Sequence, residues 1–386
     1  MRERIRVGVL FSLSGSYSVL GRAMHAGAIL AMEEIAGNNA GIVLEPIALD
    51  PGGRLQDYVE QARGLLLDGI THVVGCYTSS SRKELLPLFE KHDALLWYPS
   101  HYEGFETSEN VVYTGAAPNQ HIVPLTRYLL QTGRRRGWFV GSNYVWAWEN
   151  NRIMREALLS AGGEVAGERY FPVGDTDMTP IVAQVLDAAP DFVFNTMIGA
   201  SAYAFIRTLR EEAERRGIDQ AKAMPVASCS LSEPELTCLG PAAAGHITSS
   251  VYFSSVASAS NARFIAAWER RWPDLGPTSA DAEACYTAVH LLARAISAAG
   301  SADFGPVRRA LSDVSFEAPQ GMVRIDPENR HAFLWPRIGL SRQDGTFEIV
   351  GEYPSAVRPD PYLVWEPARE EAEAARAARP TMRLVS

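Results

Sequence analysis

The chain is poor in the signatures that would make its function plain. Its four cysteines, Cys76, Cys229, Cys238 and Cys285, show no CxxC pair and no metal-ligand spacing, which argues against a zinc site or a redox motif and leaves them as buried free thiols. The eight histidines are dispersed, so no metal cluster is legible. Positive charge is in deficit, 36 basic against 45 acidic residues for a net charge of -9, which offers no electrostatic grip on nucleic acid. The single basic run, Arg134 to Arg136, falls where a helix ends and a strand begins, a natural place for cations beside the negative end of the helix dipole. No run approaches the 18 or more apolar residues of a membrane helix. The opening "MRERIRVGVLFSLSG" lacks the apolar core and small-residue cleavage site of a secretory signal, so the sequence reads as cytoplasmic, or as periplasmic or lipid-anchored if a signal peptide has been removed. Neither GxxxxGK[ST] nor GxGxxG occurs, and no GxSxG elbow surrounds a serine, which disfavours nucleotide binding and serine hydrolysis.

Alternation is what the sequence does contain. Short apolar runs and helical periodicities follow one another from Ile5 to Cys238: strand Ile5 to Ser12, helix Tyr17 to Gly37, strand Ile42 to Asp50, helix Leu55 to Asp68, strand "HVVGCY", helix Arg82 to His92 and strand Ala94 to Ser100. The pattern restarts after "YTGAAPNQ", with helices predicted over Gln120 to Thr132, Glu149 to Ala161, Thr179 to Ala188 and Ala200 to Arg216 between strands "GWFVGS", "GEVAGERYFP", "DFVFNT" and "PVASCS". Strands separated by helices of this length signify βαβ units and parallel sheets, and two such series imply two lobes with a cleft between them. Later come helices near Asn261 to Trp272 and Ser279 to Ala299, then antiparallel hairpins turning at Asp326 to Asn329 and at Asp344-Gly345. The closing "PAREEAEAARAARP" reads as a solvated helix or frayed tail.

Ligands of open parallel sheets sit beyond the carboxyl ends of the strands. The stretches at those ends are rich in small hydroxyls and aromatics: "CYTSSS", "YPSHY", "GSNYVWAW", "NTMIGAS" and "ASCSLSE". Hydroxyls from Thr78 to Ser81 serve equally as helix caps or as ligand contacts, and Tyr98, Tyr102, Tyr144, Trp146 and Trp148 suit the walls of a small pocket. Non-covalent recognition of something small and polar fits this composition best, and an enzyme fits it poorly.

Several blocks, "VGCYTSSSRKELLPLFEKHDALLWYPSHYEGFE", "YTGAAPNQ", "FVGSNYVW", "EAPQGMVRIDPENRHAF" and "VRPDPYLV", resemble the type I periplasmic-binding-protein family, in the branch that holds the amidase-operon regulator and the urea-binding receptors of ABC importers. The resemblance runs from about Ile5 to Trp365. It implies an α/β fold of two doubly wound parallel-sheet lobes joined by a three-strand hinge, with residues 1–120 and 252–335 in lobe one, 121–251 and 336–366 in lobe two, and 367–386 a tail. It also implies a non-catalytic receptor, without cofactor, closing over a short-chain amide or urea. By the same resemblance Ser79 offers its N–H and hydroxyl to the ligand carbonyl, Tyr77, Thr78, Tyr98 and Ser100 wall that side, Tyr144 and Trp146 close from lobe two, and Ser230 supplies a matching hydroxyl.

The expected partner is an antiterminator-type protein under a cytoplasmic amide sensor of an amidase-type operon, or, as the alternative, the permease of an ABC importer served by an extracytoplasmic receptor; self-association is left open. Three features depart from the family pattern. Trp146 stands where the regulator has Tyr and the urea receptors usually have Phe, His101 stands where a small residue is expected, and "WAWENN" lacks a Pro-Arg pair. The bulkier wall shrinks the pocket, and the histidine changes its polarity.

Overall fold

The structure is a computed structural model that describes residues 3–38, 41–364 and the backbone of 383–384. The first sheet is wholly parallel, in the order β2-β1-β3-β4-β5, from β1 (Glu3–Leu10), β2 (Ile42–Leu49), β3 (His72–Gly75), β4 (Leu95–Tyr98) and β5 (Val111–Tyr113). The second sheet opens with β6 (Arg136–Ser142), β7 (Glu164–Phe171), β8 (Phe192–Thr196), β9 (Val226–Ser228) and β10 (Ile247–Ser250), and its parallel part, β10-β9-β8-β6-β7, repeats the winding of the first. A small hairpin, β11 (Ser315–Ala318) with β12 (Gly321–Arg324), stands apart. Then β13 (Arg337–Ser341), β14 (Phe347–Glu352) and β15 (Arg383–Leu384) extend the second sheet antiparallel beyond β10. The two doubly wound sheets expected from the sequence are therefore present. Strands β3, β4, β5, β8 and β9 are buried along their whole length, as expected of parallel strands covered on both faces.

The chain passes from one sheet to the other at three places, after β5, after β10 and before β13. Buried polar side chains tie these crossings. Gln120 Nε2 donates to the carbonyls of Ala332 (3.0 Å) and Val357 (2.9 Å), while its Oε1 accepts from Ala117 N. Arg337 reaches the carbonyls of Val251, Trp335 and Gln320. Beyond β14 the chain runs back toward the first sheet, where Phe105 N donates to Pro361 O and Asn119 Nδ2 to Arg358 O.

One face of the first sheet is covered by two long helices in direct contact, Ser18–Gly37 and Ala280–Ala299. They approach closely at Gly27, where a Cβ would lie 2.2 Å from Ala282 O. The stretch "PAREEAEAARAARP", read as a solvated helix or frayed tail, lies outside the described residues; beyond it the backbone of Arg383–Leu384 pairs with β14.

Candidate functional site

The lobes meet at the carboxyl ends of their strands. Ala200 N, after β8, donates to Ser16 O, after β1, at 3.3 Å. Gly199 is at φ +58°, and a Cβ there would stand 2.2 Å from the same carbonyl, so this contact needs a glycine. Between the two sheets lies a cavity of about 10 Å³ lined by Tyr77, Ser79 and His101 from the first lobe and Tyr144, Trp146 and Ile198 from the second. That volume admits about one water. The site is thus shut, with side chains from both lobes filling it.

Each lining residue is placed by a strand end. Tyr77 and Ser79 follow β3, and the helix Ser79–Lys91 starts three residues earlier than the periodicity suggested, because Thr78 is its N-cap and accepts from Ser81 N at 3.2 Å. Ser79 is therefore the first helical residue, where its N–H has no partner within the helix and carries part of the positive dipole end. His101 follows β4. Tyr144 caps a helix, Val145–Ser160, that also begins before its predicted start at Glu149; this swings Trp146 into the cleft while Trp148 faces solvent, 46% exposed.

Four expected contacts, Tyr77, Ser79, Tyr144 and Trp146, are brought together in the cavity. The others point elsewhere. Thr78 caps its helix. Tyr98 donates to Tyr77 O at 2.9 Å, Ser100 donates to Cys76 O at 3.5 Å, and Ser230 pairs with Ser228 Oγ at 3.1 Å. The Ser79 hydroxyl is also committed, contrary to expectation: it donates in a short hydrogen bond to Glu103, a buried carboxylate whose other oxygen accepts from Arg82 Nη2 at 3.0 Å. Arg82 is wholly buried, sandwiched by the rings of Tyr98 and Tyr102 at 4.7 and 4.6 Å, and pairs at 2.7 Å with Glu106. Burial by itself would raise Glu106; Arg82, with Lys83, overrides it and holds the carboxyl at about 2. Ser79 therefore belongs on its hydroxyl side to an ion network, while its backbone N–H has no hydrogen-bond partner among the described residues.

His101, expected only to alter the polarity of the pocket, and Ile198 were not assigned as ligand contacts. Both lie in strand-end stretches singled out from the sequence, His101 in "YPSHY" and Ile198 in "NTMIGAS"; Ile198 carries no polar signal. The His101 ring meets Trp146 edge to face with centroids 5.3 Å apart, Tyr77 at 6.5 Å and His121 at 5.8 Å. Burial, and then His121, push His101 down to about 3, so it is neutral here. Burial likewise keeps the phenols of Tyr77 and Tyr144 protonated. The Trp146 Nε1–H is buried without a hydrogen-bond partner.

Among the described residues no group of three or more His, Cys, Asp or Glu is placed to hold a metal, and no helix is long and apolar enough to cross a membrane. Apart from the Ser79 hydroxyl, which donates to the buried Glu103 carboxylate, the lining holds no hydroxyl or thiol hydrogen-bonded to a base.

Residues 5–368 match the periplasmic binding protein domain family. The chain belongs to that family. This periplasmic binding protein is a non-catalytic ligand binder, and the shut interlobe cavity lies where such an α/β fold places its ligand. It is 23% identical over 352 residues, 89% of each chain, to Leu/Ile/Val-binding protein homolog 6 of Brucella abortus (strain 2308). Its fold matches a solute-binding protein of an ABC transporter from R. palustris solved with 4-hydroxybenzoate (TM-score 0.81, 22% identity, 94% of this chain and 100% of that one). It also matches a branched-chain amino acid transporter substrate-binding protein from Streptococcus pneumoniae solved with isoleucine (TM-score 0.77, 20% identity, 90% and 99%). The two solved structures are substrate-binding proteins of transporters, and none of the three gives support to the expected cytoplasmic regulator or its antiterminator-type partner.

Proposed function

We propose that the protein is an extracytoplasmic solute receptor that captures a short-chain aliphatic amide or urea between Ser79 and Trp146 and presents it to the permease of an ABC importer. The observation that carries this reading is the lining of the interlobe cavity, which Tyr77, Ser79, His101, Tyr144, Trp146 and Ile198 close to about 10 Å³. Every candidate ligand exceeds that volume, so the lining must part to admit one, and a planar ligand of a few heavy atoms demands less displacement than an amino acid or a hydroxybenzoate, ligands of two structural relatives. The polar groups suit a carbonyl flanked by NH2: the Ser79 N–H at a helix N-terminus and the unpaired Trp146 Nε1–H are donors for the carbonyl, and the tyrosine oxygens lie beside the NH2.

The role as importer receptor draws support from the transporter proteins among the structural relatives. The regulator reading would use the same cavity, and no observation in the structure favours it. A thermal-shift panel tests the ligand class: urea, formamide, acetamide, propionamide, isoleucine and 4-hydroxybenzoate, each from micromolar to millimolar. Ligand that binds only the folded state raises Tm with the logarithm of its concentration over Kd. Shifts with urea or small amides and none with the two larger compounds are expected; the reverse pattern would refute the assignment.

A further inference from the structure

His101 is the feature of the cavity that the binding scheme above leaves unused. Its ring lines the cavity, and among the described residues neither ring nitrogen has a protein hydrogen-bond partner; its contacts are the rings of Tyr77, His121 and Trp146. A neutral imidazole has one N–H donor and one bare nitrogen acceptor. Of the other lining groups, the Tyr77 and Tyr144 hydroxyls can accept as well as donate, and the rest are donors or are used elsewhere. Trp146 only donates, and the Ser79 hydroxyl donates to Glu103 and stands 3.4 Å from Arg82 Nη1. Tyr77 and Tyr144 keep their phenolic protons. The bare nitrogen of His101 is thus the one lining nitrogen able to accept.

Resting on the amide or urea reading of this site, we infer that His101 accepts a hydrogen bond from the NH2 of the ligand, and that capture of the ligand therefore requires His101 to be neutral. Protonation converts that acceptor into a donor facing the ligand's own N–H groups and leaves a charge in a closed aromatic cleft. The surroundings do not relieve it. The titratable groups that face the ring are Tyr77 behind β3, His121 at the start of the helix Ile122–Gln131, and Tyr144 behind β6; none is an anion. His121 Nε2 is bonded to Tyr102 O at 2.9 Å, and a charge on either ring disfavours a charge on the other. Glu103, the nearest carboxylate along the chain, is held by Ser79 and Arg82. In the open receptor the imidazole meets water and titrates near its ordinary value, about 6.5; in the closed one it is driven far below that. Below about pH 6 closure over ligand consequently expels one proton, which makes His101 a residue that sets both specificity and pH response.

The test is calorimetric titration of urea and of acetamide at half-unit steps from pH 5 to pH 8, on the wild type, His101→Gln and His101→Phe, with melting curves to confirm folding. The wild type is expected to bind with constant affinity above about pH 7 and to lose about tenfold per pH unit below about pH 6, as one linked proton requires. His101→Phe, which has no acceptor, loses at least tenfold at pH 7.5. His101→Gln, whose amide oxygen accepts but does not titrate, recovers most of that loss and has a flat profile. A wild-type pH slope that persists in His101→Gln, or undiminished binding by His101→Phe at pH 7.5, overturns the role of His101 and leaves the amide reading intact. Failure of the folded wild type to bind either compound at any pH overturns the amide reading, and this inference with it.

Discussion

Ser79 lies at the junction of two roles, and replacing it by alanine separates them. Its hydroxyl donates to Glu103, a carboxylate 1% exposed, and the variant leaves that oxygen with no donor in its place. A hydrogen bond to a buried charged group is worth about 1.5 to 3 kcal/mol. Unfolding entropy of about 2.1 cal/mol/K per residue over 386 residues amounts to about 0.8 kcal/mol/K, so this loss corresponds to a fall in Tm of about 2 to 4 °C if the chain unfolds as a unit. The backbone N–H of residue 79 survives the substitution, so small-amide affinity changes by no more than the weak indirect effect of a shifted helix end, about threefold. Scanning calorimetry gives the Tm and isothermal titration the affinity. Glu103→Gln in the same background supplies a control: with the acceptor's charge removed, the Ser79→Ala cost shrinks, and the double variant is less destabilised than the two single effects together. An unchanged Tm accompanied by lost binding would mean that the hydroxyl serves the ligand and not Glu103, and would refute this account of the site.

The pH dependence of stability follows from two opposed sets of buried groups. Burial pushes Glu233, Asp281 and Glu283 up to about 7 and Glu235 to about 8, so the folded state holds protons that the unfolded chain releases near pH 4; stability present below that range is lost as pH rises toward 8. Burial pushes His72, His121 and His246 down to about 4 and His101 and His331 to about 3, so the unfolded chain takes up protons first, and stability present above about 6.5 is lost as pH falls through that value. The slopes oppose each other between about 4.5 and 6.5, and only the acids remain above; calorimetry should find Tm highest near pH 6.5 and falling toward pH 8, and a Tm that rises over that interval contradicts the assignment. Gly27→Ala drives a methyl into Ala282 O, an overpacking cost of about 1 to 3 kcal/mol that outweighs the gain of about 1 kcal/mol in helix propensity; a variant that melts higher than wild type would show that the two helices separate freely. Trp146→Phe removes a buried N–H that has no partner, so its stability effect is small because that gain offsets the lost packing, whereas amide affinity falls about fivefold with the lost donor; a large drop in Tm with unchanged affinity would reverse the roles.

Much of this architecture was readable from alternation. Helices Ser18–Gly37, Thr179–Ala188 and Ala280–Ala299 carry clear stop or start signals, and their bounds lie within a residue or so of the periodicity. The helix starts that slipped, Ser79 and Val145, are those where serines or tryptophans in the first turn conceal the cap; both lie at the cavity, where local propensity yields to the site. Strands β5, β10 and β11 went unread, and length alone did not hide them, since β3, β4 and β9 are as short and were read. The strand-end rule picked out the loops that converge, and the family resemblance picked Tyr77, Ser79, Tyr144 and Trp146 within them. The rule does not fix rotamers, so it was silent on Tyr98, Ser100 and Ser230 turning to bond the backbone or a neighbouring hydroxyl, and on the Ser79 hydroxyl turning to Glu103.

The contact between Gly27 and Ala282 also constrains how the protein is made. The first sheet is complete in the nascent chain once Tyr113 has emerged, yet the helix that covers one of its faces ends at Ala299. At the usual ~5–20 residues per second, translation of that interval takes roughly 10 to 40 s. The uninterrupted strands β6 to β10 are synthesised within this delay and can settle while the earlier half waits with the apolar side of helix Ser18–Gly37 exposed. The half that is made first is thus finished last, and in the interim it presents a surface for a chaperone or for aggregation.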